Sequence, residues 1–415
     1  MENVVNPTEV REGSWLENGC KSILLKVLPH LKVGFVELFD GKDCYRFGNA
    51  NSNLKAQIRV KTPRFYRDML LGGSIGAGES YIQGCWDSDN VTQVIQVFAL
   101  NLPLIDKIEK KFAWLSRIAF RIEHLSHRNS KTGSKKNILA HYDLGNEMYQ
   151  SFLDPEMLYS SAIYPDASTS LEAGQQAKLQ RICEKLALKP GMTLLEIGTG
   201  WGALAIYAAK NFGVHVTTTT ISDAQHEYAM KRIEEEGLQN QVTLLDWDYR
   251  LLEGQYDRVV SIEMIEAVGH EYLKGFFAKL DQLLKPNGKM LIQAITIADQ
   301  RYDSYRKSTD FIQKYIFPGG CLPCISVMSK HIAEQTSMMI ESIDDIGLDY
   351  ARTLNDWHHN FDQAKAQILQ QGYGEDFIRM WKFYFSYCEG GFLARTTSTI
   401  HLVASKDQCR FSESH

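Results

Sequence analysis

Nothing in the chain limits its fold as tightly as Leu194-Leu195-Glu196-Ile197-Gly198-Thr199-Gly200-Trp201-Gly202-Ala203-Leu204-Ala205, where an apolar run meets an acidic residue and three glycines, then turns helical. Glycine lets the backbone turn tightly and approach a ligand closely, and the amides opening a helix receive polar groups. The pattern predicts the strand–turn–helix of a Rossmann-like cofactor edge. A dinucleotide fingerprint spaces its glycines G-x-G-x-x-G. Here Gly198, Gly200 and Gly202 alternate, with Glu196 just ahead of the turn, a spacing that favours S-adenosylmethionine over NAD.

Downstream the chain has the period of an α/β domain. Strands are expected at Val214–Thr219, Val242–Asp246, Arg258–Ile262 and Lys289–Ile295, with a helix near Ala224–Glu236. Apolar runs alternating with helical segments imply a mainly parallel sheet, and such sheets collect ligands at the carboxyl ends of their strands. The segments Thr220–Gln225 and Asp246–Tyr249 fall at such ends. They offer ribose hydrogen bonds and an adenine-stacking surface; equally, Thr220 serves as a helix cap and Trp247 as core.

At 415 residues the chain exceeds one ordinary domain. The expected division is a lipid- or membrane-associating N-terminal domain over residues 1–105, a basic amphipathic linker over 106–139 and a catalytic domain over 140–415. Eight cysteines are scattered and no signal peptide or long apolar span occurs, which suits a reducing cytoplasm. Cys321 and Cys324 form a C-x-x-C pair with no second pair beside it, so they read as loop cysteines and no metal is expected. In the N-terminal part, alternation at Val33–Leu38 and Ala56–Val60 precedes helical patterns from Pro63 to about Leu100, and the glycines from Gly73 onward read as turns and helix ends. From Lys107 to Lys136, nine basic residues face Glu109 and Glu123, interleaved with apolar ones. That combination fits an amphipathic helix on an anionic membrane, and equally a helix packed on a neighbouring domain. Nucleic acid is not expected as a partner, because the whole chain carries −5 and no reading motif.

Further motifs lie in order around the glycine loop: His141-Tyr142-Asp143-Leu144-Gly145-Asn146, Leu153-Asp154-Pro155, Tyr159-Ser160-Ser161-Ala162, Glu263-Met264-Ile265-Glu266-Ala267-Val268-Gly269, Lys314–Pro323 and Tyr387-Cys388-Glu389-Gly390-Gly391-Phe392. With Leu194–Gly202 they span most of residues 140–405, and in this order the chain resembles the cyclopropane-fatty-acid synthases. The resemblance implies a seven-stranded class I methyltransferase domain with a smaller α+β N-terminal domain, the latter linked to membrane association and dimer assembly. It places Tyr159 and Ser160 near the methionine end of S-adenosylmethionine, Gly198 and Gly200 beneath it, Thr220 and Gln225 at the ribose, and Trp247 and Asp248 at the adenine. Glu196 is expected either to serve the cofactor or to orient loop amides.

The resemblance also implies the reaction. A cis double bond in membrane phospholipid attacks the electrophilic methyl of S-adenosylmethionine; a base then takes a proton from the new methyl and a ring closes. Water must be kept out, and aromatic faces stabilise the passing cation. In the family that base is a bicarbonate held by a cysteine, a glutamate, a histidine and a tyrosine. The glutamate is Glu266 and the tyrosine Tyr315; the other two positions carry Ser161 and Gln293, which retain hydrogen-bonding capacity. Glu266 must be protonated, or bond through the anion's own OH, to accept such a neighbour. Three outcomes remain open: a cyclopropane; a methylene- or methyl-branched chain, if a chain carbon loses the proton; or a non-catalytic S-adenosylmethionine- and lipid-binding protein. Homodimerisation and attachment to the inner face of the cytoplasmic membrane follow from the resemblance. Cys388 has no step to perform and reads as structural.

Overall fold

In the computed structural model, residues 13–107 and 145–409 are described. Nearly all of the basic segment and the residues His141 to Leu144 lie outside them. The described chain divides into two compact units.

The first unit contains a four-stranded sheet in the order β2-β1-β3-β4. Strand β1 (Phe35–Asp40) pairs antiparallel with β2 (Asp43–Gly48) and parallel with β3 (Lys55–Val60), and β3 meets the short β4 (Trp86–Asp87). Val36, Leu38, Ala56 and Ile58 alternate into the core. The glycine run after Pro63 breaks the stretch Arg64–Ile82 into two helices at Gly73, whose φ of 53° and ψ of −138° are non-helical and tolerated by glycine. At Gly76 a Cβ would lie 2.1 Å from the Asp68 carbonyl oxygen, so the kink needs a bare backbone on that side.

Residues Leu369–Ala394 belong to this first unit, which departs from an unbroken 140–415 domain. The cause is packing inside helix Glu375–Leu393. Thr92 Oγ1 donates to the buried Glu389 carboxylate at 2.7 Å, and Arg379 Nε donates to the Tyr81 carbonyl at 2.7 Å. A Cβ at Gly390 would meet Ile95 at 2.8 Å, so the glycine next to Cys388 permits a close helix crossing.

The second unit holds a seven-stranded sheet, β10-β11-β9-β8-β5-β6-β7. Strands β5 (Thr193–Ile197), β6 (His215–Thr219), β7 (Val242–Leu245), β8 (Tyr256–Ile262) and β9 (Leu284–Ile297) run parallel; β11 (Thr397–Ser405) is antiparallel to both its neighbours, β9 and β10 (Met339–Asp345). Successive residues feed opposite cores: Leu194, Val260 and Leu291 pack with helices Leu171–Lys185, Ala203–Phe212 and Asp223–Glu235, whereas Leu195, Val259 and Ile292 pack with helices Leu273–Leu283 and Ile325–Gln335. Burial on both faces explains why these strands are continuous apolar runs. Strand order reverses between β5 and β8, which puts the glycine loop and the turn after β8 side by side at the switch point. Among the described residues no helix is long and apolar enough to cross a membrane.

Candidate active site

The glycine loop is shaped by φ values that side chains resist: 100° at Gly198, 53° at Gly200 and 92° at Gly202. The amides of Gly198 and Thr199 both donate to the Thr219 carbonyl, fastening the loop to β6. Glu196 lies behind it, 2 % exposed. Thr218 Oγ1 donates to the Glu196 carboxylate at 2.6 Å and shares a 2.7 Å hydrogen bond with Thr199 Oγ1. Burial pushes the Glu196 pKa up to about 8, opposed by the Thr218 hydroxyl. The acid thus braces the loop from within the protein.

A pKa raised on folding means stability that is full below about 4.5 and is lost as pH climbs through 8. Glu196→Gln keeps an acceptor for Thr218 without the buried charge. Its melting temperature should exceed the parent's at pH 8, by the equivalent of about 2–4 kcal/mol, and the gain should vanish near pH 4. Affinity for S-adenosylmethionine should change less than about fivefold, as bracing requires. Thermal unfolding at both pH values and calorimetric titration check this; a large affinity loss with no stability gain would make Glu196 a ligand contact.

Thr220 and Gln225 are brought together: Thr220 Oγ1 donates to Gln225 Oε1 at 2.9 Å, and both are buried. The helix cap is Ser222 rather than Thr220. Trp247 is not core; it is 51 % exposed beyond β7, a free aromatic face at the strand-end edge. Asp248 forms a paired ion contact with Arg250, Oδ1 to Nε at 2.8 Å and Oδ2 to Nη2 at 2.5 Å.

Tyr159 stands in an aromatic cluster, with ring centroids 5.2 Å from Trp357, 5.4 Å from Tyr149, 6.1 Å from Phe152 and 6.2 Å from Phe317. Ser160 is fixed by Lys178 Nζ, which donates to its Oγ at 2.7 Å, and by Gln175 Nε2, which donates to its carbonyl. Lys178 is fully buried; desolvation drives its pKa down to about 8 against the pull of Glu263 and Asp154.

Glu263 was not among the sequence candidates, yet it is the hub of the site. It receives Ser161 N at 3.0 Å, Gln293 Nε2 at 2.7 Å and Tyr350 OH at 2.8 Å. Its φ of 48° is unusual for a side-chain-bearing residue and persists because these partners fix it. Burial raises its pKa, while the same donors and Lys178 oppose the rise. His401 Nε2 lies 2.8 Å from Gln293 Oε1. Burial lowers the histidine pKa to about 3, so the ring is neutral and donates through Nε2, which leaves the glutamine amide nitrogen for Glu263. A charged residue ending an apolar strand was the available signal for Glu263, the same signal that singled out Glu196.

Glu266 sits on the next turn. Its Oε1 accepts from Ile295 N at 2.5 Å, but its buried Oε2 has no hydrogen-bond partner among the described residues. Burial, reinforced by the charge of Glu263, raises its pKa to about 8. Ser161 Oγ donates to the Ala162 carbonyl, and Gln293 Nε2 is spent on Glu263 and, at 3.4 Å, on the Ser161 carbonyl. Tyr315 packs its ring 5.2 Å from Phe311, and the loop after it is tied to Glu266 by Cys321 N donating to the Glu266 carbonyl at 2.8 Å. Of the positions implied for a bicarbonate cradle, Glu266 points an unsatisfied oxygen, while Ser161 and Gln293 have committed their donor hydrogens elsewhere. The set does not fit a cradle of four converging groups.

A family model, mycolic acid cyclopropane synthetase, matches residues 129–402. The cyclopropane-fatty-acyl-phospholipid synthase of Escherichia coli strain K12 is 40% identical over 357 residues, covering 86% of this chain and 89% of that protein. A tuberculostearic acid methyltransferase of Mycobacterium tuberculosis is 39% identical, covering 77% of this chain and 76% of its own length. Among solved structures, the mycolic acid cyclopropane synthase CmaA1 complexed with SAH and CTAB superposes with a TM-score of 0.62 at 28% identity, over 66% of this chain and 98% of that one. The chain belongs to the mycolic acid cyclopropane synthetase family of S-adenosylmethionine-dependent C-methyltransferases.

Proposed function

We propose that this protein transfers the methyl group of S-adenosylmethionine to the cis double bond of an unsaturated acyl chain in membrane phospholipid and closes a cyclopropane ring, releasing S-adenosylhomocysteine. The observation that carries the reading is the buried, unpartnered oxygen of Glu266, set beside the cofactor edge. Methylation of an amine needs no such group, because the neutral nitrogen attacks through its lone pair and sheds its proton to solvent. An alkylated alkene has a C–H proton to lose, and a dry basic oxygen suits that step. The rings of Tyr149, Phe152, Tyr159, Phe317 and Trp357 supply faces that favour a passing cation. Tyr159 and Ser160 take the methionine end of the cofactor, Gly198 and Gly200 lie beneath it, Thr220 and Gln225 meet the ribose, and Trp247 with Asp248 borders the adenine.

A second reading, proton loss from a chain carbon to give a methylene branch, is favoured by the likeness to the tuberculostearic acid methyltransferase. Peripheral contact with an anionic inner leaflet through Lys107–Lys136, and homodimerisation, complete the proposal; the basic surplus of that segment supports the first.

The test is incubation with methyl-labelled S-adenosylmethionine and bilayers of cis-unsaturated phospholipid, with acyl chains released for mass spectrometry and proton NMR. A ring methylene signal is expected. A vinylidene signal would replace the cyclopropane by the branched product, and no label in lipid would remove the proposed substrate.

A further inference from the structure

We propose that Glu266 Oε2 is itself the proton acceptor of this enzyme, in place of a bound bicarbonate, with Glu263 as the residue that positions it. The inference rests on the reading above. An anion held at Glu266 requires hydrogens aimed at it, yet the Ser161 hydroxyl is turned to the Ala162 carbonyl and both hydrogens of the Gln293 amide face Glu263 and the Ser161 carbonyl. His401 locks that amide from the far side, so the glutamine cannot flip toward Glu266 without losing two partners. What remains is a buried carboxylate oxygen of Glu266 with no hydrogen-bond partner among the described residues.

The two acids have opposite surroundings. Glu263 is ringed by donors and has Lys178 nearby, which offset part of the rise that burial imposes on its pKa. Glu266 has one amide and a negative neighbour, which makes its ionised form avid for a proton. Burial raises both carboxyls, but their unequal hydrogen-bond partners give them different roles, with the open oxygen on Glu266. Around Glu266 the titratable and charged groups are Glu263 on the same turn and, beyond it, Lys178 from helix Leu171–Lys185, Tyr350 from helix Gly347–Gln363 and His401 from β11. The step balances: the S–CH3 bond breaks with its electrons left on sulfur, the alkene π pair forms the new C–C bond, and Glu266 Oε2 takes a proton from the added methyl. The C–H electrons then close the ring, and the proton passes from Glu266 to solvent.

The experiment measures labelled product from the full chain on cis-unsaturated vesicles in carbonate-free buffer under argon, then with bicarbonate added back to about 10 mM, enough to fill a site whose Kd is about 1 mM or tighter. Rates within about twofold in the two conditions are expected. A loss of tenfold or more without bicarbonate, restored on addition, overturns the inference. No product in either condition overturns the proposed function instead. Glu263→Gln adds an independent readout: removing the negative neighbour should move the pH–rate limb of Glu266 to lower pH, whereas a purely structural role would lower the rate without moving the limb.

Discussion

Glu266→Gln should lower turnover by at least about 100-fold at pH 8 while leaving S-adenosylmethionine affinity within a few-fold of the parent. Glutamine preserves shape and an acceptor for Ile295 N, so the turn after β8 should keep its conformation. It removes the carboxylate oxygen that, among the described residues, is buried there without a hydrogen-bond partner and open to a proton from carbon. Because a base works ionised, and Glu266 is raised to about 8, the parent's rate should climb with pH from 6.5 toward a plateau above 8. The cofactor's sulfonium, once bound, stabilises the carboxylate and draws that limb toward lower pH. A rate that instead falls as pH rises through 8 would mean that Glu266 works protonated, as a donor. Initial rates across pH, with calorimetry for cofactor binding, separate these outcomes. A Glu266→Gln protein as active as the parent would remove Glu266 from the chemistry altogether.

The cofactor edge was legible because its determinants are local. Three glycines and an apolar run within twelve residues specify a strand, a turn and a helix with no help from the rest of the chain, and β5 and the helix from Ala203 appear there. Strands β6, β7 and β8 fall within two residues of their expected limits, while β9 starts five residues early at Leu284. The N-terminal glycines are legible in the same local way: Gly73, read as a turn or helix end, separates two helices within Arg64–Ile82. Strand β2 left little trace, since of its six residues only Phe47 is buried. The network around Glu263 draws on helix Leu171–Lys185, β8, β9, helix Gly347–Gln363 and β11, which meet only through the sheet order β11-β9-β8. No spacing along the chain encodes that meeting. For the same reason Gln293 reads as an available donor when its hydrogens are taken by Glu263 and Ser161, distant in sequence, while the Ser161 hydroxyl turns to the adjacent Ala162 carbonyl.

Trp357→Ala is the other substitution with a large expected effect, on stability and on the product together. Trp357 is fully buried on helix Gly347–Gln363, its ring 5.2 Å from Tyr159, 6.0 Å from Tyr350 and 6.1 Å from Phe152. Truncation leaves a cavity among rigid rings that cannot collapse into it, at a cost of about 3–5 kcal/mol. Trp357→Phe should cost far less, about 1–2 kcal/mol, because it keeps an aromatic face and discards an indole N–H that is buried without a partner. Denaturant unfolding of both variants measures the difference. The cavity also opens the wall beside Tyr159 to water, and water competes with a base for a carbocation. Below its unfolding transition, Trp357→Ala should therefore divert part of its turnover to an acyl chain carrying both the new methyl and a hydroxyl, heavier by one water than the cyclopropane. Mass spectrometry of the released chains detects it, and Trp357→Phe should make little. If the alanine variant is folded and active yet yields no hydroxylated chain, the cluster around Tyr159 is a structural core and the cation is shielded elsewhere.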